Sequence, residues 1–263
     1  MRLSNFFDLG KGRLPFLCVL LTFLSYTSYA QITITANEVI PIDTTVYRGI
    51  QIYPDASIGP EVTSPGTWDF SSMINENLDT LSFLNPSLTP YLSKFPTANK
   101  CVANKDGYTY FNKTVSGLAL VGSALDFIGN GTLLAVRAVP ELTYIPFNAV
   151  YQTAYVDIAN FSESLAAEDL NAKNFDSIFI DGNLQVDVVF DDYGTMITPF
   201  DTMAVLRQKV VETLNYTVTG RKYLAGQSLY TNQIATESRT EVRYLWWSDS
   251  AGFNYPVVEM EVT

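Results

Sequence analysis

Apolar and polar residues alternate along most of the chain after residue 30, as they do in strands that bury one face. The alternation is clear in 31–36, 45–53 and 107–113, and β-branched and aromatic residues enrich 132–139, 143–158, 184–190, 203–218, 228–248 and 255–262. Turn residues separate these stretches, for example at 105–107, 181–183 and 219–220. The pattern therefore predicts an all-β fold, an antiparallel β-sandwich that is jelly-roll-like or made of two packed sheets.

Helical periodicity is confined to two short stretches, 85–95 and 162–173, the second with Ser162 as a candidate N-cap. Neither is long enough to define a helical domain. The acidic stretch 162–174 is the weakest joint in the sequence. We expect residues 31–263 to form a single β-rich domain, and two small β-domains that meet near 162–174 are the alternative.

The first thirty residues have the features of a signal peptide. Arg2, Lys11 and Arg13 precede an apolar run at 14–24, and small residues occupy Ser28 and Ala30. Cleavage is therefore expected before Gln31. The alternative, an uncleaved anchor, would have a short apolar run for a membrane span, so no stable span is expected after cleavage. The protein is predicted to be exported, to the cell surface or medium, with the periplasm as a further destination.

The charge and the absence of histidine exclude several classes of function. The chain has a formal charge of −11, and loss of residues 1–30 leaves 13 basic and 26 acidic residues, a charge of −13. Such an acidic chain is not expected to bind nucleic acid. With no histidine, Ser-His-Asp and Cys-His catalysis and histidine zinc sites are excluded. Cys101 would remain as an unpaired, half-buried thiol, and no cofactor is expected.

Carboxylates are the remaining candidates for catalysis, because a glycosidase needs two of them across a cleft. Asp191 and Asp192 are adjacent, so an extended strand would point them to opposite faces. Asp181, Asn183 and Asp187 offer oxygen ligands for a calcium ion, although their spacing does not match an EF-hand loop.

The aromatic run near the end of the chain suggests a carbohydrate platform. Alternation places Tyr244 and Trp246 on one face of a strand and Trp247 on the other, so one tryptophan is expected in the core and the other outside it or under a loop. Exposed aromatic rings on a sheet can stack on sugar rings. The alternative is that flanking loops bury both tryptophans.

Several segments together resemble the uncharacterised β-rich extracellular regions that precede the C-terminal sorting domain of type IX secretion cargo proteins. They are GTWDFS (66–71), DYGTMITP (192–199), VLRQK (205–209), YLWW (244–247) and YPVVE (255–259). The resemblance implies a secreted or surface location and no particular site. From the residues themselves, Trp68 and Phe70 are expected in the core, and Arg207 and Lys209 on an exposed face.

Two further expectations come from this resemblance. Five Asp-Ser/Thr triplets look like the O-glycan acceptors of the same bacterial group, at Thr44, Thr80, Ser177, Thr202 and Ser250. Cargo of this kind continues into another sandwich domain, whereas the given sequence stops at Thr263 in a predicted strand. Either the sequence is truncated, or the protein is released into the periplasm or takes another route.

The sequence leaves three functions open. The first is a non-catalytic, exported β-sandwich domain for cell-surface interaction, with a glycan or a surface protein as its partner. The second is an extracellular polysaccharide hydrolase that uses paired carboxylates, and the third is a structural spacer. A cleft with two carboxylates, an exposed aromatic row or a featureless acidic surface would distinguish them.

Overall fold

Antiparallel strands dominate the computed structural model, which describes residues 32–39, 43–51, 65–74, 76–126, 131–170, 172, 174–250 and 255–262. All of these residues belong to one unit that begins at Ile32. The predicted signal peptide lies outside the described residues. The strands are β1 (Thr44–Ile50), β2 (Gly66–Asp69), β3 (Asn77–Leu84), β4 (Lys100–Asn104), β5 (Gly107–Lys113), β6 (Gly117–Leu125), β7 (Leu134–Pro146), β8 (Ala154–Ala166), β9 (Ser177–Ile197), β10 (Thr202–Leu224), β11 (Gln227–Trp247) and β12 (Val258–Val262).

The strands follow one another across a meander. The order is β1, then β3 to β12 in sequence, while β2 pairs in parallel with β9 outside this path. A single residue pair, Val139 with Asn160, joins β7 to β8, whereas β8 to β11 pair along most of their lengths. The meander therefore divides into a first half, β1 and β3–β7, and a second half, β8–β12.

The two halves pack face to face around the main core. Phe83, Phe111 and Leu142 from the first half share one buried cluster with Phe190 and Trp247 from the second. Alternate residues of the strands that contribute to this cluster point into it, as the period-two pattern requires. The prediction of an all-β antiparallel sandwich is confirmed.

Two smaller clusters lie on the outer faces of the sheet. The segment 65–74, which includes β2 and is called the strap below, packs Trp68 and Phe70 against Met196, Val205 and Trp246. Trp68 and Phe70 are therefore buried, as predicted.

The second outer cluster lies against the first half of the sheet. Phe95 stacks on Tyr110 with ring centroids 4.3 Å apart, and Cys101 and Val121 complete the cluster. Cys101 is fully buried rather than half-buried.

Both predicted helices are replaced by strand and short 3₁₀ turns. The stretch 85–95 contains the 3₁₀ turns Pro86–Leu88 and Leu92–Lys94, the first capped by Asn85. The stretch 162–173 continues β8 to Ala166 and then forms the 3₁₀ turn Ala167–Leu170. Pairing of β8 with β9 continues through Ser162, because alternate residues there face the interior and outweigh helix propensity.

Two predicted turns, 181–183 and 219–220, lie inside the long strands β9 and β10. Their glycines provide space for aromatic rings: a side chain on Gly182 would meet Phe161, and one on Gly220 would meet Phe175. Glycine inside a strand commonly marks such a close approach rather than a turn.

Candidate functional site

The predicted aromatic platform is not an exposed surface, because Trp246 is 0% and Trp247 2% exposed. Trp247 lies in the main core. Trp246 faces outward, but the strap covers it: its ring centroid is 5.9 Å from that of Trp68 and 5.4 Å from that of Phe70. One tryptophan enters the main core and the other lies under a covering segment, so the exposed platform is absent and the alternative, burial of both tryptophans, is what the structure has. The strap is more than 170 residues away in the chain, so local alternation could not reveal it.

Tyr244, the third residue of the predicted platform, is half-buried and belongs to a cation–π arrangement. The guanidinium of Arg207 lies 5.2 Å from the Tyr244 ring centroid and 5.6 Å from that of Trp68. Arg207 is only 1% exposed, so its predicted exposed position is wrong. The strap buries this face of the sheet.

Asp191 and Asp192 do not follow strict alternation. The register passes from Arg207 opposite Asp192 to Gln208 opposite Phe190, so Asp191 is the extra residue of a β-bulge. Its carboxylate accepts bonds from Arg207 Nε at 2.8 Å and Nη2 at 3.1 Å. Asp191 therefore holds Arg207 in place under the strap.

The calcium candidates do not converge on one point. Asp181 and Asp187 are six residues apart in β9, a separation of about 20 Å in an extended strand. Asp181 Oδ1 accepts a bond from Ser162, and Asn183 Oδ1 accepts one from Asn215. In the described part of the chain, no group of three or more acidic or thiol side chains could hold a metal ion.

The glycosylation candidates lie at strand ends and on strand surfaces. Thr44, Thr80, Thr202 and Ser250 are exposed, and Ser177 is half-buried. In two triplets the aspartate also bonds to the next backbone amide: Asp79 to Thr80 at 2.9 Å, and Asp201 to Thr202 at 2.7 Å.

The most prominent candidate site is a cavity of about 780 Å³ between the two halves of the sandwich. Ligand pockets commonly measure about 300–1,000 Å³. The cavity follows β10 from Val210 to Val218, about 27 Å at about 3.4 Å per residue. Leu184 on β9, Ala159 on β8 and Leu120 on β6 contribute to a largely apolar wall. The cavity is therefore an elongated, mainly apolar chamber.

Five charged side chains form a connected series at one end of this chamber, called the ionic end below. Asp79 Oδ2 is 2.6 Å from Arg48 Nη2, and Arg48 Nη1 is 3.1 Å from Glu259 Oε2. Glu259 Oε1 is 3.5 Å from Arg243 Nη1, and Arg243 Nη2 is 2.6 Å from Glu212 Oε2. Each guanidinium therefore lies between two carboxylates. Arg48, Glu212, Arg243 and Glu259 also line the cavity.

Burial and this ionic series change several pKa values. Burial alone would lower the pKa of Arg243. The nearby Tyr144, Glu212 and Glu259 raise this pKa by more than burial lowers it, so the net shift is upward. Burial would raise the pKa of Asp79, but hydrogen bonds from Arg48 and from the Thr80 amide lower it below its usual value. Both groups are therefore held in their charged forms at neutral pH.

Two tyrosines complete the ionic end of the cavity. Burial raises the pKa of Tyr144 to about 12 and also raises that of Tyr255, so both hydroxyls stay neutral near pH 7. Neither hydroxyl has a hydrogen-bond partner among the described residues. The Tyr144 ring packs edge-on against Phe111 at 5.4 Å, and the Tyr255 ring lies 5.8 Å from Phe83. Aromatic packing therefore positions two neutral polar groups in an apolar chamber.

Glu212 and Glu259 are the two cavity carboxylates to consider for the alternative function, a hydrolase with paired carboxylates. Both bond to the same guanidinium of Arg243, so they belong to an ion-pair series and do not face each other as acid and base across a cleft. The mainly apolar wall also offers few partners for the hydroxyls of a sugar chain.

Sequence reasoning missed this site because its residues come from many strands. The inward positions change from apolar to charged between Leu206 and Glu212 in β10, and between Leu245 and Arg243 in β11; both leucines lie in the core. Charged residues at predicted inward positions were the sequence feature that could have indicated this site.

Comparison with protein-family models, curated proteins and solved structures finds no match for this chain. None of the helices in the described residues is long and apolar enough to cross a membrane.

Proposed function

We propose that this protein is a non-catalytic, exported binding domain that holds a mainly apolar small molecule between the two halves of its sandwich. The supporting observation is the chamber of about 780 Å³ with a mainly apolar wall. Transfer of apolar ligand surface from water into such a chamber is favourable by roughly 25 cal/mol per Å². The sequence predicted cell-surface interaction with a glycan or a surface protein at the tryptophans. The site proposed here is instead in the interior, and its ligand is a mainly apolar small molecule.

A neutral apolar dye, N-phenyl-1-naphthylamine, tests the proposal by its fluorescence increase on burial. The purified protein without its signal peptide is expected to bind the dye. Ala159→Phe, which fills the chamber, should weaken binding at least about tenfold. Ile158→Phe is the matched control, because Ile158 is the neighbouring residue on the exposed face of β8.

Circular dichroism and the melting temperature establish that both variants fold. Leu214→Trp, at another position in the cavity wall, is the second variant if Ala159→Phe does not fold. The proposal would be overturned if wild-type protein bound no dye, or if interior and exterior substitutions weakened binding equally.

Export and modification are parts of the same proposal, supported by the signal-peptide features and by the exposure of most Asp-Ser/Thr triplets. Protein isolated from its native host should begin at Gln31 and carry mass at Thr44, Thr80, Ser177, Thr202 or Ser250. An intact mass equal to that of the bare mature peptide would contradict glycosylation.

A further inference from the structure

The head group of the ligand can be inferred from the ionic end, on the basis of the proposed cavity function. The charged residues there already neutralise one another, because Arg48 and Arg243 each contact two carboxylates. A ligand carboxylate would find the terminal guanidinium nitrogens engaged, and the Nε atoms of both arginines are buried from it. An anion added at the ionic end would therefore meet no free counter-charge there.

A cationic head group meets a similar obstacle. The ionic end holds three carboxylates and two guanidiniums, but Arg137 and Arg239 also line the chamber, with Glu237 as a further carboxylate. Among the charged side chains that line the chamber, four are arginines and three are glutamates. Neither sign is in excess by more than one, so burial of an ammonium group would gain little to offset its lost hydration.

Unlike the paired charges of the ionic end, the neutral hydroxyls of Tyr144 and Tyr255 have no hydrogen-bond partner among the described residues. Their rings are fixed by packing, and the backbone oxygen of Tyr144 accepts bonds from Tyr155 at 2.6 Å and Gln208 at 3.4 Å. Each phenol can donate one hydrogen bond and accept another. Buried polar groups are generally hydrogen-bonded, so an oxygen-containing head group fits here.

We propose that the ligand is an uncharged amphipath whose long apolar chain lies along β9 and β10. Its alcohol, ester or amide head bonds to the hydroxyls of Tyr144 and Tyr255. The elongated chamber, which follows β10 from Val210 to Val218 and ends at these phenols, has the shape and polarity for such a molecule.

Competition against the bound dye tests this assignment with three ligands of one chain length: hexadecanol, hexadecanoate and hexadecylamine. Hexadecanol should displace the dye at a concentration at least about tenfold lower than either charged ligand. Tighter binding of the acid or of the amine would overturn the inference while leaving the cavity function in place. Absence of dye binding by wild-type protein would overturn both.

The double variant Tyr144→Phe, Tyr255→Phe tests the head-group contact. It should weaken hexadecanol binding about tenfold and leave dye binding unchanged, because the dye lacks an oxygen. Tyr216→Phe is the matched control, since Tyr216 also lines the chamber but its hydroxyl donates to Glu237 at 2.8 Å. Unchanged hexadecanol affinity in a folded double variant, judged by circular dichroism, would contradict the assignment. If the double variant does not fold, the single Tyr144→Phe variant is measured in the same way.

Discussion

Adjacent residues of one strand can belong to different cores, as Trp246 and Trp247 do. Their indole groups differ in hydrogen bonding: Trp247 Nε1 donates to Gln208 Oε1 at 2.8 Å, whereas Trp246 Nε1 is buried with no partner among the described residues. A buried donor without a partner costs about 1–3 kcal/mol. The two positions should therefore respond differently to the same substitution.

Trp247→Phe is expected to destabilise the fold more than Trp246→Phe, by about 1–3 kcal/mol. Both substitutions remove ring volume, but only the first leaves the buried oxygen of Gln208 without its donor. Urea unfolding of both variants measures the difference in free energy. Equal losses would show that the Gln208 bond contributes little.

Burial also governs titration of single residues at alkaline pH. Burial raises the pKa of Cys101 from 9.0 to about 12, and that of Tyr144 from 10.0 to about 12. Both groups lose their protons at lower pH in the unfolded chain than in the folded one. Their contribution to stability is fully present below pH 9 and is lost as the pH rises to about 12.

The free energy of unfolding should therefore fall between pH 9 and about 12, by on the order of a few kcal/mol in total. Denaturant titrations at several pH values measure it. In Cys101→Ser the decrease should begin nearer pH 10, where tyrosines start to ionise in the unfolded chain. Rapid reaction of the native Cys101 thiol with a disulfide reagent at pH 9 would contradict the assigned burial.

At the scale of elements, the strap depends on a close approach between two glycines. Gly66 of β2 pairs with Gly194 of β9, and a Cβ on Gly194 would collide with the backbone oxygen of Gly66. Gly194→Ala should therefore displace β2 and expose Trp68 and Trp246. The expected loss is about 1–3 kcal/mol, in the range for overpacked sites.

Acrylamide quenching of tryptophan fluorescence and the melting temperature measure this displacement. Gly226→Ala is the matched control: Gly226 also has a positive φ, of 80°, but a Cβ there would meet nothing within 4 Å. The control should lose stability through backbone strain alone, roughly 1–2 kcal/mol, without greater quenching. Equal quenching in both variants would count against the close approach as the anchor of the strap.

The strands and the strap differ in how well the sequence could predict them. Alternation identified β5 with its observed bounds, and enrichment in β-branched and aromatic residues identified most of β10 and β11. The cover over Trp246 could not be predicted, since it depends on a parallel pairing between distant segments. Gly182 and Gly220 were misinterpreted as turns because a glycine under an aromatic ring and a glycine in a turn look alike in sequence.

At the scale of the whole molecule, the sequence could not show that a cavity remains between the two halves of the sheet. Pattern indicates which faces turn inward, but not whether facing side chains fill the space between two halves of a sheet. Glu212, Arg243 and Glu259 come from three adjacent strands, and Arg48 reaches them from β1 in the other half of the sheet. Neither the chamber nor its ionic end was therefore predicted.

The ends of the meander are joined by the ionic end, because Arg48 lies on β1 and Glu259 on β12. Asp79 holds Arg48 in place from β3 and is 7% exposed. Its pKa is lower in the folded protein than its ordinary value of 3.8. The stability that Asp79 contributes is therefore present above about pH 3.8 and is lost as the pH falls through the lowered folded value.

Asp79→Asn should destabilise the protein at pH 7 by about 1–3 kcal/mol, the range for loss of a buried charged hydrogen bond. Hydrogen exchange in β1 should accelerate, because Arg48 loses one of its two partners. The deficit should begin to shrink below about pH 3.8, where Asp79 of the unfolded wild-type chain takes up a proton, and should be lost as the pH falls through the lowered folded value. Asp176→Asn is the control, because Asp176 bonds to Lys222 at the surface and its loss should leave exchange in β1 unchanged. A deficit that stays constant down to acid pH would mean that the Asp79 side chain matters through packing, and that its charge does not hold the two ends of the meander together.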